Sequence, residues 1–280
     1  MTINCGGKLL DLSTPVVMGI LNVTPDSFYA KSRISGEKEI LERAETIIAE
    51  GGTIIDIGAY SSRPDAVDIS EKEEYNRIMP AMALVKKHFP DNFISVDTFR
   101  SNIVRQLYEK FGSFIVNDIS AGDIDAQMIP YVGKTGLPYI AMHMRGTPKT
   151  MQNKENCIYE DIVNEIISHF IQKKQKLLEA GVIDIIIDPG FGFAKTLEGN
   201  YELLAKLDAF KILEQPILVG ISRKSMLCKL LNITPNESLA ATITGNMLAL
   251  QHGTDILRVH DVKEASDTIK VFNRVNKYSK

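Results

Sequence analysis

The stretch VVMGIL, residues 16–21, carries no polar side chain and then meets Asn22. Seven more short, largely apolar runs follow it, at residues 53–57, 93–96, 114–116, 139–142, 183–187, 217–220 and 256–259. The polar or charged residues that meet or close the eight runs include Asn22, Asp56, Asp97, Asn117, His143, Asp188, Ser222 and His260. A parallel strand buried on both faces reads as a near-continuous Val/Ile/Leu run, so these segments are core strands. Helix-like stretches separate them. Strand and helix repeated eight times predicts an α/β fold, a closed (β/α)8 TIM barrel, whose chemistry sits where the strands end at the C-terminal rim. The polar residues fall at that rim, so the chain reads as an enzyme.

Working outward from the runs, TINCGGKLLDL at residues 2–12 places a Gly-Gly turn between two β-prone arms. It predicts an N-terminal β-hairpin that plugs the barrel's N-terminal end. Helix starts are expected at Ser70 with Glu73, at Thr234 with Pro235 and Glu237, and at Asp261 with Glu264. Gly51, Gly52, Gly112, Gly181 and Gly253 sit where helices should stop. The longest helix is expected over residues 158–180, and Pro80 should kink or break the helix beginning near Glu71. SLAATITGNMLALQ, residues 238–251, is small and apolar around most of its circumference. That leaves two explanations, a homo-oligomer contact or tight packing within one chain. The loops at residues 24–35 and 58–68 are longer than a barrel needs and are candidate lids.

At 280 residues, with no linker or repeat beyond the strand–helix alternation, the whole chain reads as one domain, 1–280. Hydrophobic content of 44% and charged content of 24% fit a globular protein. A net charge of −3 gives no global attraction for nucleic acid or acidic membranes, so any anionic ligand needs a local cluster of positive groups. Cys5, Cys157 and Cys228 are odd in number and lack CxxC spacing, which favours reduced thiols over a disulfide or zinc site. No secretory pattern opens the sequence and no apolar segment reaches membrane-spanning length, so the cytoplasm is expected.

The rim residues narrow the chemistry. Asp97, Asn117 and Asp188 brought into one cup offer carboxylate acceptors and an amide with both donors and an acceptor. Without matching basic partners such groups are costly to bury unless a ligand satisfies them. A heterocycle edge with N–H donors beside a carbonyl, such as a 2-amino-4-oxo pyrimidine, would do so. Arg63, Lys224, Arg258 and His260 form a second, basic set. Two like charges 4 Å apart repel by roughly 4 kcal/mol at an effective dielectric near 20, so such a cluster calls for an anion, and phosphate is the usual occupant there. Arg258 and His260 alternate along a strand and can share a face. Asn22 closes the first strand with a lone neutral oxygen ligand, which reads either as a capping or turn residue or as a ligand to Mg²⁺ that completes its shell with phosphate and water. SRKS lacks a signalled histidine partner, and DPGFGF matches neither a nucleophile elbow nor a dinucleotide or P-loop fingerprint. His88, His169 and His252 fall on helices and read as solvated, and His143 either reaches the rim or braces it. The set points to binding and charge stabilisation rather than covalent catalysis.

Eight motifs, in order, carry a resemblance. MGILNVTPDSF (18–28), IIDIGAYSSRP (54–64), ISVDT (94–98), VNDIS (116–120), MHMRGTPKTMQ (142–152), DPGFGFAK (188–195), VGISRKS (219–225) and RVHDV (258–262) resemble the dihydropteroate synthase family. The likeness spans nearly the whole chain. It implies that p-aminobenzoate attacks the methylene carbon of 6-hydroxymethyl-7,8-dihydropterin diphosphate, giving dihydropteroate and pyrophosphate in folate biosynthesis. It implies that Asp97, Asn117, Asp188 and Lys224 hold the pterin, and that Arg258 and His260 hold the diphosphate, with Asn22 acting through Mg²⁺. Ser62, Arg63 and Pro64 match the segment that helps bind both substrates, while Phe193 and Ser225 match aryl and carboxylate contacts. Asp97, Lys224, Arg258 and His260 are the expected catalytic group, in a dissociative substitution that needs no enzymic nucleophile. A homodimer is expected by analogy.

The chain departs from the family at two loops. The family's first loop commonly runs SFSDGG, where this chain has Ser27, Phe28, Tyr29, Ala30, Lys31 and Ser32; its second commonly reads GESTRP, where this chain has Tyr60 for the glutamate and Ser62 for the threonine. The same reaction is expected, with altered loop ordering or sulfonamide fit. A methyltransferase of the same superfamily, moving a methyl group from methyltetrahydrofolate to a corrinoid, would share the pterin-binding acids but needs neither SSRP nor SRKS followed by RVH. A catalytically silent pterin-binding homologue is the other alternative.

Overall fold

The computed structural model describes residues 1–23, 33–61 and 68–278, with residues 33–35 described in backbone only. The chain opens with a hairpin, β1 (Thr2–Cys5) and β2 (Lys8–Asp11), paired antiparallel across the Gly6-Gly7 turn. Alternation of strand and helix then begins with β3 (Val16–Asn22), α1 (Arg33–Ala49), β4 (Ile54–Gly58), α2 (Glu71–His88), β5 (Phe93–Asp97), α3 (Ser101–Phe111) and β6 (Ile115–Asp118). It continues through α4 (Met128–Thr135), β7 (Tyr139–Met142), the short α5 (Lys154–Cys157), α6 (Ile162–Glu179), β8 (Ile185–Asp188) and α7 (Leu197–Ala205). After a 3-10 segment, Leu207–Leu213, come β9 (Leu218–Val219), α8 (Ser225–Leu231), α9 (Leu239–Gln251), β10 (Ile256–Val259) and α10 (Val262–Asn276). The eight later strands form one parallel sheet in the order β8-β7-β6-β5-β4-β3-β10-β9. A bridge between Ile187 and Ile217 joins its two ends, so the sheet closes as the expected barrel.

Strand periodicity explains how the barrel is filled. Met18, Ile54, Phe93, Ile115, Ile140, Ile186, Leu218 and Ile256, one from each barrel strand, pack in a single buried cluster with Ile3, Leu10 and Leu12 of the hairpin segment. The hairpin therefore plugs the N-terminal end. Side chains alternate across a strand, so the residues between these positions face outward. Val17, Ile55, Ile94, Val116, Tyr139, Ile187, Val219 and Leu257 belong to the larger cluster shared with the helices. At Gly19 an added Cβ would lie 2.6 Å from Ile47, so a glycine there lets α1 approach the barrel. Two residues beyond the apolar floor the inward set becomes Ile20, Asp56, Ser95, Asn117, Met142, Asp188, Gly220 and Arg258. A polar layer thus sits on an apolar one, at the mouth.

Several local expectations are corrected. Helix α2 runs unbroken through Pro80, with Ile78, Ala81, Met82 and Val85 buried along it; packing of that face offsets the lost backbone bond. Ser70 accepts from Glu73 N, but the Glu73 carboxylate pairs with Arg77, so the cap is one-sided. The box of Thr234 and Glu237 closes a single 3-10 turn, Pro235–Glu237, rather than a long helix. Asp261 precedes α10 without capping it, because its carboxylate is taken by Arg223. The expected 158–180 helix starts only after Asp161, whose side chain caps Asn164 N, and at 18 residues it equals α2. Helix α9 buries one face, through Thr242, Gly245, Asn246, Ala249 and Leu250, while Ile243 and Leu248 lie exposed. The glycine stops hold: Gly51, Gly112, Gly181 and Gly253 all adopt positive φ. The three cysteines are free. Among the described residues no helix is long and apolar enough to cross a membrane.

Candidate active site

The polar layer is organised around Arg258, in the eighth barrel strand. Its Nε donates to Asp56 Oδ2 at 2.7 Å and its Nη2 to Asp97 Oδ2 at 2.7 Å. Asn117 Nδ2 reaches Asp56 Oδ1 at 3.5 Å, and Ser95 Oγ, buried on the intervening strand in register with Asp56, has no partner among the described residues. The acids are therefore not buried without basic partners, as the sequence reading had them. Burial pushes Asp97 above the ordinary carboxylate range and Asp56 adds to the push, with Arg258 opposing. Burial alone would weaken the Arg258 charge, but Asp56 and Asp97 more than compensate and raise its pKa.

Asp188 lies across the mouth at the end of β8. Its Oδ1 accepts from Gly190 N at 2.8 Å, and its pKa is raised by burial against the pull of Lys224, Arg258 and Lys195. Lys224 donates to Phe191 O at 2.5 Å and sits 4.8 Å over the Phe193 ring. Burial lowers Lys224 to about 8, against the attraction of Asp188. Ser225, the first residue of α8, is exposed. Phe193 packs with Tyr60, Phe99, Met142, Met144 and Met151 in an apolar wall on one side of the cup.

His260 ends the eighth strand. Its backbone N–H donates to Ser222 Oγ at 3.2 Å, and its carbonyl accepts from Arg43 Nη2 at 2.8 Å. Arg43 also donates to Ile20 O at 3.2 Å, so α1 braces the first and eighth strand ends together. Burial and then the Arg258 charge lower His260 to about 4. Without an anion it is neutral at pH 7, a correction to its count among the positive groups. Asn22 is exposed at the end of β3, and its Oδ1 would lie 3.8 Å from a Cβ on Gly58. Among the described residues no group of three or more His, Cys, Asp or Glu is arranged to hold a metal. The donor that Asn22 offers is a single amide oxygen. It fits a cation that brings its other oxygens from phosphate and water, and no tighter site.

The structure thus brings together Asn22, Asp97, Asn117, Asp188, Phe193, Lys224, Ser225, Arg258 and His260 at one end of the barrel. Ser62, Arg63 and Pro64 lie outside the described residues, as does Ala30. Tyr60 stacks edge-on against Phe99 at 5.1 Å, with the Arg100 guanidinium over the Phe99 ring. Asp56 was missed as a site residue, though a charged residue inside an apolar run, at inward parity with Ile54, was the available signal. His143 braces and does not reach the cup: it is buried, with Nδ1 3.2 Å from Lys195 Nζ. His169 is not solvated, because its helix faces the barrel there. Its ring meets His143 at 4.9 Å, and burial lowers it to about 4. His88 is exposed, as expected.

Comparison with known proteins places this geometry. The model of a family described as pterin binding enzyme matches residues 18–260. The dihydropteroate synthase of Escherichia coli strain K12 is 41% identical over 271 residues, covering 95% of this chain and 93% of that protein. A Yersinia pestis dihydropteroate synthase solved with a sulfonamide drug superposes with a TM-score of 0.91 at 37% identity, over 99% of this chain and 100% of that one. The Thermus thermophilus dihydropteroate synthase, solved with 4-aminobenzoate, gives a TM-score of 0.86 at 33% identity, over 98% and 99% of the two chains.

Proposed function

The chain belongs to the dihydropteroate synthase family of pterin-binding enzymes, and on that premise we propose how its own residues divide the work of that reaction. The enzyme condenses 6-hydroxymethyl-7,8-dihydropterin diphosphate with p-aminobenzoate, giving 7,8-dihydropteroate and pyrophosphate in folate biosynthesis. The observation that carries the division is the mouth of the barrel itself, where Asp97, Asn117 and Asp188 stand interleaved with Lys224, Arg258 and His260 above the apolar floor. Asp97, Asn117, Asp188 and Lys224 hold the pterin. A carboxylate at Asp97 or Asp188 accepts a pair of ring N–H donors, and Lys224 donates to a ring acceptor. The Arg258 donors not engaged by Asp56 and Asp97, together with His260, face the departing diphosphate. Phe193 supplies the face against which the p-aminobenzoate ring lies, and Ser225 reaches its carboxylate. Ser62, Arg63 and Pro64 of the second loop complete the grip on both substrates.

The mechanism we infer is dissociative. Cleavage of the C–O bond leaves a resonance-stabilised pterin cation, which the carboxylates at Asp97 and Asp188 favour electrostatically. No side chain has to form a covalent bond. Asn22 would help to hold Mg²⁺, which when bound neutralises charge on the diphosphate. Holding the aryl amine in line supplies on the order of 7–11 kcal/mol through proximity. We read the chain as one pterin-binding domain over 1–280 acting in the cytoplasm. We also read it as a homodimer, since Ile243 and Leu248 on α9 and Val271 and Val275 on the neighbouring α10 are exposed.

Mixing purified protein with the pterin diphosphate, p-aminobenzoate and Mg²⁺ should release pyrophosphate, and EDTA should suppress the release. Asn22→Ala should raise the Mg²⁺ concentration needed for half-maximal rate. Correctly folded protein that releases no pyrophosphate would sink this reading, and an unchanged Mg²⁺ requirement in the Asn22 variant would remove its metal role.

A further inference from the structure

Lys195 lies just past the turn that follows β8, and it is only 4% exposed. Its ammonium donates to Gly190 O at 2.8 Å and Phe193 O at 2.9 Å, and lies 3.2 Å from His143 Nδ1. A charged ammonium has three N–H donors and no acceptor. As an ammonium, Lys195 places one donor on each of these three acceptors, with a neutral His143 then carrying its proton on Nε2. The acceptors come from two elements: Gly190 and Phe193 from the turn, His143 from the end of β7. The contact between them is tight. Gly190 has φ +73, and a Cβ on it would fall 2.1 Å from His143 O and 3.4 Å from Lys195 Nζ. His143 N also donates to Asp188 O at 2.9 Å. The ammonium is therefore the buried pin that holds the 188–193 turn against the neighbouring strand.

That turn carries two of the residues given substrate contacts above. Asp188 is anchored by Gly190 N, and Phe193's own carbonyl is one of those that Lys195 grips. We propose that Lys195 is a positioning residue for both substrates: its ammonium fixes the turn so that the Asp188 carboxylate meets the pterin and the Phe193 ring meets the aryl amine. This rests on the assignment of Asp188 and Phe193 to those substrates. The groups whose charges act on Asp188 include Lys224, Arg258 and Lys195; those acting on Lys195 include Asp188, Lys224, Arg145 and Cys157. Burial draws Lys195 down to about 7, with Asp188 opposing. Each group thus opposes the shift that burial imposes on the other.

Lys195→Gln keeps one donor group and loses the charge. Steady-state kinetics should show KM for both the pterin diphosphate and p-aminobenzoate raised about tenfold, with kcat changed less, as expected when two contacts are loosened together. The acid limb of the kcat/KM profile should move to higher pH, since removing a nearby cation makes the Asp188 carboxylate easier to protonate. A merely structural role would lower Tm and leave that limb in place. If Lys195→Gln does not fold, Lys195→Arg supplies the comparison: it keeps the charge, but its planar fork cannot meet the three acceptors. Both KM values should rise while the acid limb stays. Asp188→Asn, assayed for equilibrium binding of a pterin, tests the underlying assignment separately. Should that variant bind pterin normally, the assignment fails. Loss of binding in Asp188→Asn beside unchanged KM values and an unmoved acid limb in folded Lys195→Gln, or unchanged KM values in Lys195→Arg, would overturn the inference.

Discussion

Arg258 Nη2 donates to Asp97 Oδ2 at 2.7 Å, joining the third and eighth strands of the barrel across its mouth. The same guanidinium holds Asp56, whose side chain is fully buried, while Asp97 keeps 21% of its side chain exposed. The two acids therefore have different jobs. Asp56, with no exposed side-chain surface, fixes the arginine; Asp97 presents its exposed edge to the cup. Removing one partner of a buried pair typically costs about 3–5 kcal/mol. Asp56→Asn should lower stability by about that much in chemical denaturation and weaken pyrophosphate inhibition through a misplaced Arg258. Asp97→Asn should cost less stability and reduce kcat by roughly a hundredfold or more, because it withdraws charge from the developing pterin cation. Equal kcat losses in the two variants would erase the distinction.

His260 is held neutral by burial and by Arg258, at about 4. An anion placed beside it reverses that balance. Binding of pyrophosphate at pH 7 should be accompanied by proton uptake, measured by titration calorimetry in buffers of differing ionisation enthalpy. His260→Asn should bind more weakly and take up fewer protons. Identical proton uptake in the variant would place the titration elsewhere.

The same shift links to stability. His143, His169 and His260 are all lowered from the ordinary histidine value, chiefly by burial. The folded state therefore favours their neutral forms. The stability this represents is fully present above the unfolded value near 6.5 and is lost as pH falls toward 4. Melting temperatures should drop across that window in the unliganded protein, and His169→Phe should flatten part of the drop. A Tm that stays level from pH 6.5 to 4.5 would refute it.

Leu10 is 1% exposed in the plug and meets the floor residues of the barrel. Leu10→Ala should cost about 2–5 kcal/mol by leaving a cavity at the sealed end. The mouth lies a full layer of side chains above it, so the KM values at a temperature where the variant is folded should match the parent. A rise in either KM would show that the plug shapes the site.

Much of this was legible from the chain because strand parity is a strict code. Once residues 16–21 are read as a barrel strand, Met18 faces the plug, Ile20 the middle layer and Asn22 the rim. The same step from Ile256 gives Arg258 and His260. What parity cannot give is pairing across the barrel. Arg258 and Asp97 are 161 residues apart, and nothing local says that the arginine turns inward to two acids rather than upward to phosphate. Local capping rules failed for the same reason at Asp261, where a partner from another loop outcompeted the helix end. His169 was misread because its helix presents that position to a neighbouring histidine. The pin at Lys195 was invisible, since a lysine after a glycine-rich turn ordinarily reads as solvated.

Arg223 forks onto Asp261 through Nη2 at 2.6 Å and Nε at 2.9 Å. It links the loop bearing Lys224 to the loop bearing His260, and it does so from a left-handed backbone at φ 56 that few non-glycine residues adopt. The Asp261 carboxylate raises the Arg223 pKa. Both side chains are largely covered, at 27% and 15% exposure, and a bidentate pair of this kind resists screening better than a surface ion pair. If the fork holds the pterin-side lysine at a fixed distance from the diphosphate-side histidine, Arg223→Met and Asp261→Asn should each raise KM for the pterin diphosphate severalfold and leave KM for p-aminobenzoate nearly unchanged. The double variant should be little worse than either single one, with a coupling of about 1–3 kcal/mol in a double-mutant cycle on kcat/KM. Additive losses would mean that the two residues act on separate parts of the site.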